Sequence, residues 1–391
     1  MEFLRRTWAE VRLDCLRRNL GRIAGHLPAG TRIMGVVKAD GYGHGDRYIA
    51  RELTEACGLD FLAVSNLEEA LSLRRAGIGC SLLILGFTPV SHVRALAENR
   101  VTQAILSLEY ARMLDDACRK EHVRLQGHLK LDTGMGRIGI PADAPGSLEE
   151  IAAVCALPRL DISGIFSHFS SADALDDASA AYTRAQAEAF QKTLDALRQR
   201  GLEFPCRHLQ NSAGIAFCPQ LRYEYARAGI VMYGEPPSGE KLPFPLEPVM
   251  ELKTVVSMVK EIRPGASVSY GRAFTAERPM RIATVPIGYA DGYPRLLSNR
   301  ASMLLRGRRV PVTGNVCMDQ LMLDVTGVPD VQAGDVVTVV GRDGGESVTF
   351  SELASLAGTI SYELMCLISR RVPRVYLREG REIAVVDYLQ G

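Results

Sequence analysis

The chain has 391 residues, 47% of them hydrophobic, which is enough for one large domain with a sizeable core and a smaller second one. With 46 basic against 45 acidic side chains the net charge is +1, which gives no electrostatic footing for nucleic acid or an anionic membrane surface. The opening "MEFLRRTWAEVRLD" is charged within its first six residues and no apolar run approaches a membrane span, so neither a secretory leader nor a membrane anchor is expected, and the expected location is the cytoplasm.

In chain order, "TWAEVRLD" alternates like a half-buried strand. Eight short β-branched or aliphatic runs follow: "RIMGVVK" (32–38), "FLAVS" (61–65), "LLIL" (82–85), "QAIL" (103–106), "RLQGHLKL" (124–131), "LDISGIFSH" (161–168), "CRHLQ" (206–210) and "YEYARAG" (223–229). Helical patterns separate them. In "NLEEALSLRRAG" (66–77), Asn66 predicts the N-cap, with Glu69 three residues on and Gly77 as the stop. The longest, "SAAYTRAQAEAFQKTLDALRQRG" (179–201), ends at Gly201. Eight strands alternating with helices over about 230 residues is the count of a (β/α)8 barrel. A doubly wound sheet is the alternative, since alternation alone does not show closure.

The texture then changes. "GEPPSGEKLPFPLEP" (234–248) holds five prolines and reads as an irregular connection. Beyond it come strand-like runs, "MELKTVVSMVKEI", "RIATVPIG", "MLLRGRRVPVTG", "DVVTVVG" and "EIAVVDYL", interrupted by one helix candidate, "SVTFSELASLAG". The expected organisation is a barrel over 1–241 and a mostly β domain over 242–391. The opening strand, about 7–14, is a candidate member of the second domain, because chain termini often lie close together. The nine cysteines show neither a CxxC pair nor zinc-ligand spacing and read as buried, reduced thiols, so no metal is expected.

In a barrel, side chains at the C-terminal ends of the strands line the active site. Lys38 ends the first run, Lys130 ends the fifth with Arg137 in the glycine-rich loop after it, and His168 ends the sixth. "NSAG" (211–214) follows the seventh, and Arg227 and Gly229 end the eighth. Each has a plainer reading alone: a solvated strand end, a structural histidine, a tight turn. Together they place two lysines, two arginines and a histidine on one predicted rim. The loops after strands seven and eight are where such barrels commonly hold a phosphate. A lysine desolvated beside other cations becomes nucleophilic. Opposite a phosphate site, its natural guest is pyridoxal phosphate held as a Schiff base, with Arg227 placed to meet the pyridine nitrogen.

These segments resemble those of bacterial alanine racemases, fold-type III enzymes that use pyridoxal phosphate. The likeness runs through "VVKADGYGHG", "KLDTGMGRIG", "FSHFSSAD", "NSAGI", "RAGIVMYG", "VSYGRAF", "PIGYADGYPRLLSN", "GNVCMDQ" and "TISYELMCLISRRVPRVY", in family order across essentially the whole chain. It implies that Lys38 carries the cofactor and serves as one acid/base, and that Tyr270 is the other on the opposite face. Arg227 would bond the pyridine nitrogen, and His168 would tie Arg227 to Tyr270. Tyr42, Ser212, Gly229, Ile230 and Tyr362 would hold the phosphate, and Arg137 and the backbone of Met318 would meet the substrate carboxylate. Met318, Asp319 and Tyr289 would shape a narrow entrance, and Lys130 matches a lysine often carbamylated in this family. The family is a homodimer in which Tyr270 and Met318 would reach the partner's site. Asp40 and Gly41 stand where many members carry Asn and Ala. The expected activity is interconversion of L- and D-alanine, for peptidoglycan precursors or D-alanine catabolism. The alternatives are a serine or broad-specificity racemase of the same family, a decarboxylase of basic amino acids, and a non-enzymatic pyridoxal phosphate carrier.

Overall fold

In the computed structural model, which describes residues 3–390, the eight strands are Arg32–Val36, Phe61–Val64, Ser81–Ile84, Val101–Ile105, Leu125–Asp132, Leu160–Phe166, Cys206–His208 and Tyr225–Ala228. Each pairs in parallel with the next, and Tyr225–Ala228 pairs with Arg32–Val36, so the sheet closes into an eight-stranded barrel. Closure explains the unbroken apolar runs: strands such as Phe61–Val64 are buried at every position, with barrel interior on one side and helices on the other.

The helices start where their caps lie. The Asn66 side chain accepts from the Glu69 N–H at 2.9 Å and opens Leu67–Arg75. The longest helix is Asp177–Gln199, starting two residues before the expected 179, because the Asp176 carboxylate accepts from both Ala178 and Ser179 N–H. The proline-rich connection has no strand or helix over 234–249. It is pinned to the first helix, Leu13–His26: Asn19 Nδ2 donates to the Glu247 carbonyl at 2.8 Å, and Arg18 and Arg22 pair with the Glu247 carboxylate.

The second region is largely β. Thr7–Arg12 lies within its main sheet, antiparallel to Met250–Val255 and parallel to Arg374–Arg378. The expected helix is Phe350–Ala357, and a second one, Ser361–Leu367, was not anticipated. That short helix and Arg374–Arg378 pack against the segment after the first barrel strand. A Cβ on Gly45 would lie 1.8 Å from the Tyr376 hydroxyl, so only glycine allows this approach. All nine cysteines are unpaired, but only Cys15, Cys118 and Cys206 are buried and Cys366 is exposed, so the expectation of uniformly buried thiols is corrected. No helix among the described residues is long and apolar enough to cross a membrane.

Candidate active site

The first barrel strand stops at Val36, and Lys38 begins a separate turn rather than ending the strand. Residues Ala39, Asp40, Gly41 and Tyr42 all have positive φ, at 52°, 55°, 60° and 53°. This is one turn of left-handed helix, in which three of four residues are not glycine. Each such residue costs roughly 1–2 kcal/mol, so the turn persists only because its surroundings hold it. Glu69 supplies part of that hold, since its carboxylate accepts from Ala39 N–H at 2.8 Å and from Ser65 N–H at 2.7 Å. Lys38 is thereby set half-buried at the barrel mouth. Burial lowers its pKa, with Arg137 and Arg227 adding to the effect.

Arg227 is fully buried inside the barrel. Its Nη2 donates to the Ser167 and Leu209 carbonyls at 2.7 and 2.9 Å and lies 3.1 Å from His168 Nδ1, while Nη1 donates to His208 Nδ1 at 2.8 Å. Burial, then Arg137, brings its pKa down to about 9. His168 lies two residues past the end of its strand at Phe166, and burial followed by Arg227 holds it neutral. Its Nε2 lies 3.3 Å from Asn211 Nδ2. Lys130 sits within Leu125–Asp132, buried, and donates to the Leu131 carbonyl at 2.5 Å. Burial, with Arg227 next, lowers it to about 7. Arg137 is exposed on its loop. Asp132 Oδ1 shapes that loop by accepting from Gly134, Met135 and Gly136 N–H.

Sequence reasoning missed two residues here. His208 is buried against Phe166, with ring centroids 4.7 Å apart, and its Nε2 lies 3.0 Å from His128 Nδ1. His128, like Lys130 two residues on, faces the barrel interior, and that alternation was the available signal. Cys206 joins the two histidines, with all three donor atoms within 4.8 Å of one another, a cluster that linear spacing does not reveal.

Lys38, Tyr42, His168, Ser212, Arg227, Gly229 and Tyr362 line one cavity of about 250 Å³ at the C-terminal rim of the barrel. Ser212 Oγ accepts from Gly229 N–H at 3.1 Å, and a Cβ on Gly229 would lie 2.7 Å from the Tyr42 hydroxyl and 3.4 Å from Ser212 Oγ. The missing side chain keeps open a pocket lined by hydroxyls. Ile230 is buried directly behind it in sequence. Burial, with Tyr362 the next contributor, raises Tyr42, so its phenol stays a hydrogen-bond donor. Cations crowd this mouth, which suits an anionic guest.

The remaining predicted residues do not line this cavity. Tyr270, Met318 and Tyr289 are 71%, 52% and 43% exposed, on the β region. They form a second cluster: Asn315 Nδ2 donates to the Tyr270 carbonyl at 2.8 Å, Tyr289 N–H to the Cys317 carbonyl at 3.1 Å, and Ala290 N–H to the Met318 carbonyl at 3.0 Å. Asp319 pairs with Arg371 at 2.8 Å. Ser269, just before Tyr270, has φ 68° and ψ 178°, a region otherwise left to glycine, and its Oγ donates to the Asn315 carbonyl at 2.7 Å. Tyr270 itself opens a short 3-10 turn, Tyr270–Arg272, rather than sitting in a strand.

A closed parallel barrel with a cationic mouth, joined to a β region that presents an exposed tyrosine, defines a two-part barrel enzyme. The family profile described as alanine racemase, N-terminal domain, matches residues 11–237, and that for the alanine racemase C-terminal domain matches 249–376. An alanine racemase of Geobacter sulfurreducens is 46% identical over 376 residues, covering 95% of this chain and 97% of its own. Alanine racemase 1 of Clostridium acetobutylicum is 42% identical over 389 residues, 99% of both chains. The crystal structure of the Bacillus anthracis alanine racemase with bound L-Ala-P superposes with a TM-score of 0.93 at 36% identity, over 100% of each chain. The chain belongs to the alanine racemase family, whose members are amino-acid racemases of the isomerase class.

Proposed function

We propose that this chain is a cytoplasmic, pyridoxal-phosphate-dependent alanine racemase that interconverts L- and D-alanine by two-base proton transfer. The observation that carries this reading is the convergence of Lys38, Arg227, Ser212 and Gly229 on one cavity. The cavity fits the cofactor on its own chemistry. Ser212, Tyr42, Tyr362 and the backbone of Gly229 and Ile230 would hold the phosphate where a Gly229 side chain would otherwise intrude. The hydrogen bonds of Arg227 all leave from Nη1 and Nη2, so its Nε–H, without a partner among the described residues, is free for the pyridine nitrogen. When bound, the cofactor supplies a conjugated ring that delocalises the Cα electron pair.

The residues of the chain do the rest. Lys38, its amine made less basic by burial, binds the cofactor and moves the Cα proton on one face, that of the D-isomer. Tyr270 moves it on the other face, that of the L-isomer. An amine and a phenol on opposite faces invert the centre without the substrate turning over. Arg137 and the Met318 N–H bind the substrate carboxylate, and Tyr289 and Asp319 narrow the entrance. Because Tyr270 and Met318 are exposed and lie outside the cavity of their own chain, the proposed enzyme is a homodimer in which each subunit completes the other's site. Lys130 is proposed to carry a carbamate, since a buried amine with a pKa near 7 is nucleophilic toward carbon dioxide and the resulting anion would orient Arg137.

The test is incubation of the purified protein with L-alanine in D2O, following the Cα proton by NMR and the product by chiral chromatography. Loss of the proton together with appearance of D-alanine is expected. Exchange without inversion would remove Tyr270 from its role, and exchange of serine but not alanine would favour the broader racemase.

A further inference from the structure

The left-handed turn that carries Lys38 is gripped from two sides. Glu69 holds its start, as described above. On its other side, residues 374–388 of the β region supply three hydrogen bonds. Arg374 Nε donates to the Gly43 carbonyl at 2.9 Å, the Tyr376 hydroxyl to the His44 carbonyl at 2.9 Å, and the Tyr388 hydroxyl to Asp40 Oδ2 at 2.7 Å. The first two seize the chain beyond the turn. Among the described residues, Tyr388 is the one side chain from this segment that bonds a side chain inside it, two residues from Lys38. Asp40 is fully engaged, for its Oδ1 accepts from Asp46 N–H at 3.0 Å and its carbonyl from Gly45 N–H at 2.8 Å. Tyr388 is itself fixed. The Arg370 and Arg374 guanidinium groups lie over its ring at 5.6 and 5.4 Å, and Leu389 N–H closes onto Asp387 Oδ1 at 3.0 Å.

We propose that Tyr388 is a positioning residue for Lys38, acting through Asp40. Residues 386–390 form a strap from the β region that fixes the strained turn and, with it, the direction of the lysine amine into the cavity. The inference rests on the reading of Lys38 as the cofactor-binding base. The phenol donates to a carboxylate oxygen at 2.7 Å, the usual distance for a hydroxyl donor. An unheld left-handed turn would sample other conformations, and a displacement of the order of an ångström at a reacting group costs rate far more than binding.

Tyr388→Phe removes the hydroxyl and keeps the ring under its two arginines. Asp40→Asn keeps a bond, because the amide N–H can donate to the phenol oxygen. The full-length enzyme, stripped of cofactor, is mixed with pyridoxal phosphate, quenched with borohydride at intervals and mapped for the adduct on Lys38. kcat, KM and Tm are measured on the reloaded protein. In Tyr388→Phe, adduct formation and kcat are expected to fall about tenfold with KM within about twofold. Asp40→Asn retains most of both, and the double variant is no worse than Tyr388→Phe. A Tyr388→Phe protein that traps the adduct and turns over like the native enzyme, whether or not its Tm falls, overturns the proposal alone. Absence of any adduct on Lys38 in the native protein overturns the reading of the site and the proposal with it.

Discussion

Arg227 and His208 are joined inside the barrel, Nη1 to Nδ1 at 2.8 Å, and the bond assigns the histidine proton. A guanidinium only donates, so His208 Nδ1 must accept and its proton sits on Nε2, which faces His128 Nδ1 at 3.0 Å. The chain Arg227–His208–His128 therefore has one direction. Burial keeps both imidazoles neutral, with His128 brought down to about 3, so the positive charge stays on Arg227 at the cavity end of the chain.

His208→Phe keeps the stack on Phe166 and removes the acceptor. A buried cationic donor then loses one of its partners, which costs about 1–3 kcal/mol. Urea unfolding is expected to show that loss in the midpoint with little change in slope, together with weaker retention of pyridoxal phosphate on dialysis. A variant as stable as the native protein would show that Arg227 is held adequately by the Ser167 and Leu209 carbonyls.

Lys130 imposes a pH dependence whose sign is set by burial. An unfolded lysine titrates near 10.4, and the folded one is drawn down to about 7. Between these values the unfolded chain binds a proton that the folded chain does not, so stability rises with pH across that window by up to about 1.4 kcal/mol per pH unit from this group. Below about 7 the cost of the buried charge is fully present. In carbon-dioxide-free buffer, the native protein should gain more stability than Lys130→Met between pH 7 and 10. Bicarbonate should abolish the difference by forming the carbamate, visible as a mass gain of one carbon dioxide.

Glu69 is the counterpart of Tyr388 on the other side of the lysine turn. In Glu69→Gln one of the two N–H groups of Ala39 and Ser65 faces an amide NH2 instead of a carboxylate oxygen. The expected cost is about 1 kcal/mol of stability, with a larger proportional loss in the rate of adduct formation at Lys38. Equal losses in both would mean that the turn tolerates slack.

The barrel was legible because strands such as Phe61–Val64 are buried on both faces and stand out as unbroken apolar runs. The segments that carry Lys38, His168, Ser212 and Arg227 followed from the neighbourhood of the strand ends, though Lys38 and His168 lie past their strands and Lys130 within its own. What was not legible has physical reasons. The glycines of "DGYGHG" announce a turn but not its handedness, since Ala39, Asp40 and Tyr42 reach positive φ through contacts made far away in the chain. Ser361–Leu367 is too short for a helical period to register, yet it carries Tyr362. His128 and His208 are 80 residues apart and meet only because the barrel closes. The separation of Tyr270 and Met318 from the cavity was expected from the family resemblance alone, because no local pattern distinguishes a residue that faces a partner from one that faces solvent.

Gly229→Ala tests the proposed phosphate pocket without touching the charges. The new methyl group would meet the Tyr42 hydroxyl at 2.7 Å, closer than atoms pack, and would displace it from the pocket. The substitution should also cost stability, because Tyr42 is buried against Tyr233 and Tyr362 and Gly229 sits at φ −110°, ψ −112°, which alanine disfavours, so binding is compared on protein shown to be folded. Affinity for pyridoxal phosphate should fall at least tenfold, read by titration of cofactor absorbance, while free pyridoxal, which lacks the phosphate, should lose far less. A similar loss for both would place the phosphate elsewhere.

The proposed division of the site between subunits makes a quantitative prediction. Lys38→Ala and Tyr270→Phe should each be inactive as homodimers, because every site then lacks one base. Dissociated, mixed in equal amounts and allowed to reassociate at random, half of the dimers carry one of each chain. If, as proposed, Lys38 comes from one subunit and Tyr270 from its partner, one site in such a dimer has both substitutions and the other has neither. The mixture should therefore recover about a quarter of the native specific activity. If both bases came from the same chain, each site in the mixed dimer would still carry one substitution and no activity would return. The exposed position of Tyr270, outside the cavity that holds Lys38, argues for recovery.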